Sequence, residues 1–87
     1  MDKWIIDFVK NFCKTTEQTG KIVSSKDFAK SLNNAGIKTT RGSTYSGMPR
    51  GIDKFLGIAQ RNCFDRGDKE GCYDIEAFRK SIRKIKH

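Results

Sequence analysis

The sequence predicts a mainly α fold: a winged helix-turn-helix of about four helices, with a short hairpin at residues 63–73. Three observations predict it. Apolar residues recur at helical spacing in four separate segments. A helix stopped by Gly36 leads through a basic polar turn into a second amphipathic helix, the order of a helix-turn-helix. The positive charge of the chain peaks over that junction. With 87 residues there is enough chain for one core and too little for two, so residues 1–87 are read as a single domain.

The first helix follows from Ile5, Phe8, Val9 and Phe12, which recur at i, i+3, i+4 and i+7, with Trp4 and Cys13 flanking the stripe. Thr15, Thr16 and the Thr19-Gly20 pair favour turns, so the helix is expected to end near Lys14. Ile22-Val23, a β-branched pair, is expected to run extended. Ser24 is a good N-cap, with Asp27 three residues later able to reach back to unpaired N–H groups. The second helix then buries Phe28, Ala29 and Leu32. Gly36 suits the left-handed C′ position, and Ile37 can pack back on the helix end.

Residues Lys38 to Tyr45 hold two basic residues, four Ser/Thr and one Gly, the composition of an exposed loop. A third helix is expected from Ser46 or Gly47, with Pro49 tolerated in the first turn. Ile52, Phe55, Leu56 and Ala59 form its apolar stripe. Gly51 and Gly57 each weaken it by roughly 1 kcal/mol relative to Ala. The turn-rich run Asp65 to Gly71 lies between the apolar pairs Cys63-Phe64 and Cys72-Tyr73, the pattern of a hairpin wing. Asp74 is expected to cap a fourth helix whose stripe is Ile75, Phe78, Ile82 and Ile85. Two fates are open to that stripe: a homodimer contact, or packing on Ile5, Phe8 and Phe12 within one chain. The second is favoured.

Charge narrows the function. The formal net charge is +8, of which +6 falls in residues 21–62, while residues 63–73 carry −1. A basic surface over the helix-turn-helix is what a polyanion partner requires. The net acidity of the wing argues against a phosphate grip there. With 32% charged residues and an apolar patch at Trp4-Ile5-Ile6 cut by Asp7, the chain reads as free of a membrane span or a signal sequence. The cytosol or nucleoid of the host cell is the expected compartment.

Catalytic chemistry finds little support. His87 is the single histidine, which removes most nucleophile and general-base systems. Cys13, Cys63 and Cys72 include no C-x-x-C pair, so no structural zinc is expected. Cys63 and Cys72 could face each other across the hairpin, but a cytosolic compartment disfavours a disulfide, and Cys13 reads as core. Asp65 and Glu76 span the length of a calcium loop, yet Gly67, Lys69 and Glu70 occupy places that must ligate or turn. No Walker motif or dinucleotide fingerprint occurs. The chain is read as non-enzymatic, with no cofactor and no metal.

The run Leu32-Asn33-x-x-Gly36-Ile37-x-Thr39-x-Arg41-Gly42-x-x-Tyr45 resembles a stretch in the recombinase domain of large serine recombinases. There a helix ending in leucine-asparagine leads through glycine-isoleucine, a threonine and an arginine-glycine pair to an aromatic residue. The longer run Gly42 to Ile52 is also similar to small proteins of phages and other mobile elements. The resemblance covers residues 24–60. It implies DNA contact near Thr39, Thr40, Arg41, Ser43 and Tyr45 and along the following helix. The serine-nucleophile domain of those enzymes has no counterpart in these residues, so recombination chemistry is not implied. Residues Gly47 to Gly51 look like an insertion ahead of the second helix.

The expected function is sequence-reading DNA binding, as a small phage or mobile-element transcriptional regulator or recombination-accessory factor. Lys26, Lys38, Arg41, Arg50, Lys54 and Arg61 are expected to neutralise phosphates. Ser43, Thr44, Tyr45 and the exposed side of helix three are expected to approach base edges. The competing class is a phage-encoded inhibitor that uses its charge to occupy a host protein's nucleic-acid channel. RNA ranks third, because the chain has no aromatic-rich stacking motif.

Overall fold

The computed structural model describes residues 1–21, 23–39 and 41–84. It contains α1 (Lys3–Thr19), α2 (Ser25–Asn34), α3 (Pro49–Asp65) and α4 (Lys69–Lys84). No strand occurs among the described residues. α4 packs chiefly on α3 and α1, and the shorter α2 lies against α3. Gln60 meets Cys72 and Asp53 meets Arg79, so α3 and α4 run antiparallel.

The core draws on every helix. Ile6, Val9 and Cys13 of α1, Phe28 and Leu32 of α2, Ile52, Leu56, Ala59 and Cys63 of α3, and Ile75, Phe78 and Ile82 of α4 are all buried. The first stripe is rotated from its expected centre: Ile5, Phe8 and Phe12 are only partly buried and pack around the Ile6–Val9–Cys13 line. On α4, Ile75, Phe78 and Ile82 are enclosed by the same chain, Phe78 against Phe12 and Phe28. That matches the intrachain fate of the stripe, with Ile85 outside the described residues.

Where helices stop, backbone chemistry explains the differences from the sequence pattern. α1 continues past Lys14, and Thr16 and Thr19 are accommodated within it by donating their hydroxyls back to the carbonyls of Phe12 and Thr15, at 2.8 and 3.0 Å. Gly20, at φ 65°, ends it. Ile22 of the expected extended pair lies outside the described residues, and Val23 belongs to no strand. Ser24 caps α2 as expected, its Oγ accepting from the Asp27 N–H at 3.2 Å. At the other end Gly36 adopts φ 79°. Its N–H donates to the Asn33 carbonyl, and that of Ile37 to the Leu32 carbonyl, closing a Schellman motif over buried Ile37.

The expected wing is replaced by a helical corner. Cys63 and Phe64 belong to the last turn of α3, and Cys72 and Tyr73 to α4. Gly67 takes φ 73°, and the Asp68 N–H donates to the Cys63 carbonyl at 2.9 Å. Asp68 then caps the next helix, its Oδ1 accepting from the Gly71 N–H at 3.0 Å. The turn signal at Arg66-Gly67-Asp68 is genuine, but it joins helices rather than strands. α4 therefore begins at Lys69, ahead of the expected start at Asp74. Lys10 pairs with Asp68 and ties α1 to this corner.

α3 also starts later than Ser46 or Gly47. Gly47 is left-handed at φ 81°, and a Cβ there would come 2.9 Å from the Lys26 Cα. The helix begins instead at Pro49, whose missing N–H is harmless in the first turn. Residues 35–48 thus separate α2 and α3, where a helix-turn-helix uses about three or four.

Polar groups fasten the outer seam of α3 and α4. Arg79 donates to both oxygens of Asp53, at 3.0 and 3.1 Å, and to Gln60 Oε1 at 2.7 Å. Arg83 adds a longer contact to Asp53 at 3.3 Å. The Arg79 hydrogen bonds hold the Asp53 carboxyl below its ordinary value. A carboxylate depressed in the folded state contributes stability above its unfolded value of about 4, and that contribution is lost as pH falls further. Asp53→Asn is therefore expected to flatten the drop in thermal midpoint below about pH 4, measured by circular dichroism. An unchanged acid limb would mean that Asp53 is not held by Arg79 in solution.

Two further measurements test the packing. Leu32 is fully buried, so Leu32→Ala is expected to cost about 2–4 kcal/mol in urea denaturation. The helical glycines should respond with opposite signs. At Gly51 a Cβ meets nothing within 4 Å, and Gly51→Ala is expected to raise stability by about 0.5–1 kcal/mol. At Gly71 a Cβ would lie 2.7 Å from Asp68 Oδ2 and 2.9 Å from Lys10 Cε. Gly71→Ala displaces the cap and its ion pair, for an expected loss of about 1 kcal/mol.

Candidate nucleic-acid interface

The loop between α2 and α3 is anchored to α2 at two points. Asn33, in the last turn of α2, accepts from the Tyr45 N–H at 2.8 Å and donates to the Tyr45 carbonyl at 3.0 Å. One side-chain amide thus satisfies both backbone groups of Tyr45. Buried Ser25 donates to the Gly47 carbonyl at 2.9 Å. Further out, Thr39 and Ser43 close a tight turn. The Thr39 N–H donates to the Ser43 carbonyl at 2.9 Å, and Thr39 Oγ1 accepts from the Ser43 N–H at 3.0 Å. Arg41 and Gly42 lie inside that turn, with Arg41 exposed.

Tyr45 is more enclosed than a base-reading residue needs to be. Its ring packs edge-on against Phe55, centroids 5.3 Å apart. Its hydroxyl donates to the Lys38 carbonyl at 3.3 Å, and burial pushes its phenol upward. The structure therefore gives Tyr45 a positioning role for the loop. Thr39 is half-buried and engaged in the turn, whereas Ser43 and Thr44 are exposed. Thr40 lies outside the described residues.

The cations divide into two populations. Among the described residues, Lys10, Arg61, Arg79 and Arg83 form the ion pairs. The other described lysines and arginines form none and are exposed, Lys26, Lys38, Arg41, Arg50 and Lys54 among them. Arg50, Lys54 and Arg61 stand at i, i+4 and i+11 on the solvent side of α3, a stripe about 16 Å long. Arg61 is the exception in its pairing, with Asp65 at 3.6 Å. Both partners are open to solvent, and such a pair is worth at most about 1 kcal/mol. Around Tyr45 lie two shallow grooves: Lys38, Thr39 and Lys54 edge one, and Lys26, Asn33 and Ser46 edge the other.

Sequence reasoning missed Lys30, which is exposed and shares the second groove with Lys26. Its spacing of four from Lys26 was the available signal. It also missed the anchoring roles of Asn33 and Ser25.

The thiols are held in the protonated direction. Burial pushes Cys13 up to about 12 and raises Cys63 and Cys72 as well, which leaves poor nucleophiles. All three are free, and Cys72 donates to the Gln60 carbonyl. Among the described residues no group of three His, Cys, Asp or Glu side chains is placed to hold a metal ion. No described helix is long and apolar enough to cross a membrane.

Comparison with protein-family models, with curated proteins and with solved structures finds no match to this chain.

Proposed function

We propose that this chain is a non-enzymatic DNA-binding protein, a small phage or mobile-element regulator or recombination-accessory factor acting in the cytosol or nucleoid of its host. One observation carries the reading. From α2 through the first half of α3, six exposed cations (Lys26, Lys30, Lys38, Arg41, Arg50 and Lys54) form no ion pair among the described residues and outnumber two acids, Asp27 and Asp53, the second of which is drawn to Arg79 on α4. A folded domain that only needed solubility would gain from spreading both signs over its surface. A phosphate backbone instead supplies the missing negative charge along a line.

In this reading the exposed stripe of α3 approaches the duplex, in the manner of a recognition helix. Its N-terminal end is open to phosphate: Met48 gives no side-chain cap, and no acidic residue occupies the first turn. Arg41, at the tip of the Thr39–Ser43 turn, reaches the neighbouring backbone or a guanine edge. Lys26, Lys30 and Lys38 add phosphate contacts. The resemblance over residues 24–60 implies contacts in the same loop and helix.

Titration of labelled duplex across a range of salt tests this directly. With about four to six phosphates neutralised, log affinity is expected to fall against log salt with a slope of about −4 to −5. A slope near zero, or no binding at low salt, would sink the proposal. Arg41→Ala should weaken binding while leaving the thermal midpoint unchanged, because its side chain is exposed and makes no ion pair among the described residues.

A further inference from the structure

The groove on the Lys38 side of Tyr45 has more than charge. It is an open cleft of about 440 Å³ between the N-terminal end of α1, the loop and α3. That volume falls within the range of about 300–1,000 Å³ found for small-molecule sites. Ile5, Ile37 and Phe55 line it, and Ile58, 48% exposed, presents an apolar wall to solvent. Lys38 and Lys54 line it as well, neither with an acidic partner among the described residues.

We infer that this groove binds a small amphiphilic carboxylate, with its hydrocarbon chain against Ile5 and Ile58 on a floor of Ile37 and Phe55 and its carboxylate toward Lys38 and Lys54. Charge selects this occupant. Covering an apolar wall is favourable for any hydrocarbon, but only an anion also compensates the two exposed lysines that line the same cleft. A second copy of the chain would bring a net charge of +8 to a cationic rim. A neutral or cationic amphiphile forgoes the charge contact or opposes it. The open side leaves the head group partly hydrated, so the carboxylate need not be fully desolvated.

One consequence rests on the DNA-binding reading: Lys38 and Lys54 belong to the surface assigned to the duplex. A carboxylate held there competes for those cations, and each ligand must weaken the other to the same extent. The groove would make duplex binding responsive to a metabolite of that chemical class.

Octanoate is the probe, followed by two-dimensional amide NMR of the intact chain. Saturable shifts are expected at Lys38, Gly51 and Ile58, with octylammonium and octyl glucoside binding about tenfold more weakly, the worth of one charge-assisted contact. Ile58→Gln should weaken octanoate about fivefold through lost apolar contact. Lys54→Gln should weaken it through lost charge. Absence of saturable shifts, equal response to octylammonium, or shifts spread over the whole chain would overturn the inference. A second arm adds octanoate to a preformed duplex complex at fixed ionic strength, with acetate as the control. Release by octanoate alone supports competition, and retention of the duplex overturns it. If the chain binds no duplex, the proposed function fails while the titration without DNA still decides the groove.

Discussion

The fold turns on the ring of Phe28. It is fully buried and meets Phe12 of α1, Phe55 of α3 and Phe78 of α4, with centroids 5.0, 6.1 and 5.3 Å away. α2 has ten residues, too few to hold a helix in water without such contacts. The loop depends on α2 in turn: Asn33 clamps the backbone of Tyr45, and Ser25 holds Gly47. Tyr45 returns the chain to the same aromatic cluster through Phe55. The exposed cations of the loop are thus placed by the buried core beneath them.

That hierarchy explains which parts of the structure are legible in the sequence. Helical periodicity marks all four apolar stripes, and the α2 stop at Gly36-Ile37 is readable because the motif is local. Ser24 is readable for the same reason. The choice between partners for a correctly identified turn is not. The run Arg66-Gly67-Asp68 marks a reversal, but nothing nearby says whether helices or strands flank it. Cys63-Phe64 and Cys72-Tyr73 look like short strands in isolation. They are helical because Cys63 continues the stripe of Ile52, Leu56 and Ala59, and Asp68 caps α4.

The candidate interface is legible in its charges and less so in its supports. Lys26, Lys38, Arg41, Arg50 and Lys54 stand exposed as charge counting expects. Tyr45 reads as a contact residue because it sits in a polar, basic run, and only the tertiary partners Asn33 and Phe55 show its inward role. The anchors are long-range: Ser25 and Gly47 are separated by 22 positions. No short window of the sequence brings them together.

The acids explain the interface as much as the bases do. Asp53 projects from α3 between Ile52 and Lys54, yet Arg79 and Arg83 draw it toward α4 and neutralise it. Asp68 is consumed by its cap and by Lys10. Both of these carboxylates therefore serve the helix seam and are withheld from the loop. The remaining cations repel one another, and salt at about 0.15 M screens that repulsion beyond roughly 8 Å. Most of the set survives in the fold at modest cost because its members are exposed and spread over α2, the loop and α3. A phosphate backbone repeats its charge every few ångströms and follows curvature, so it can answer the stripe on α3 and the loop together.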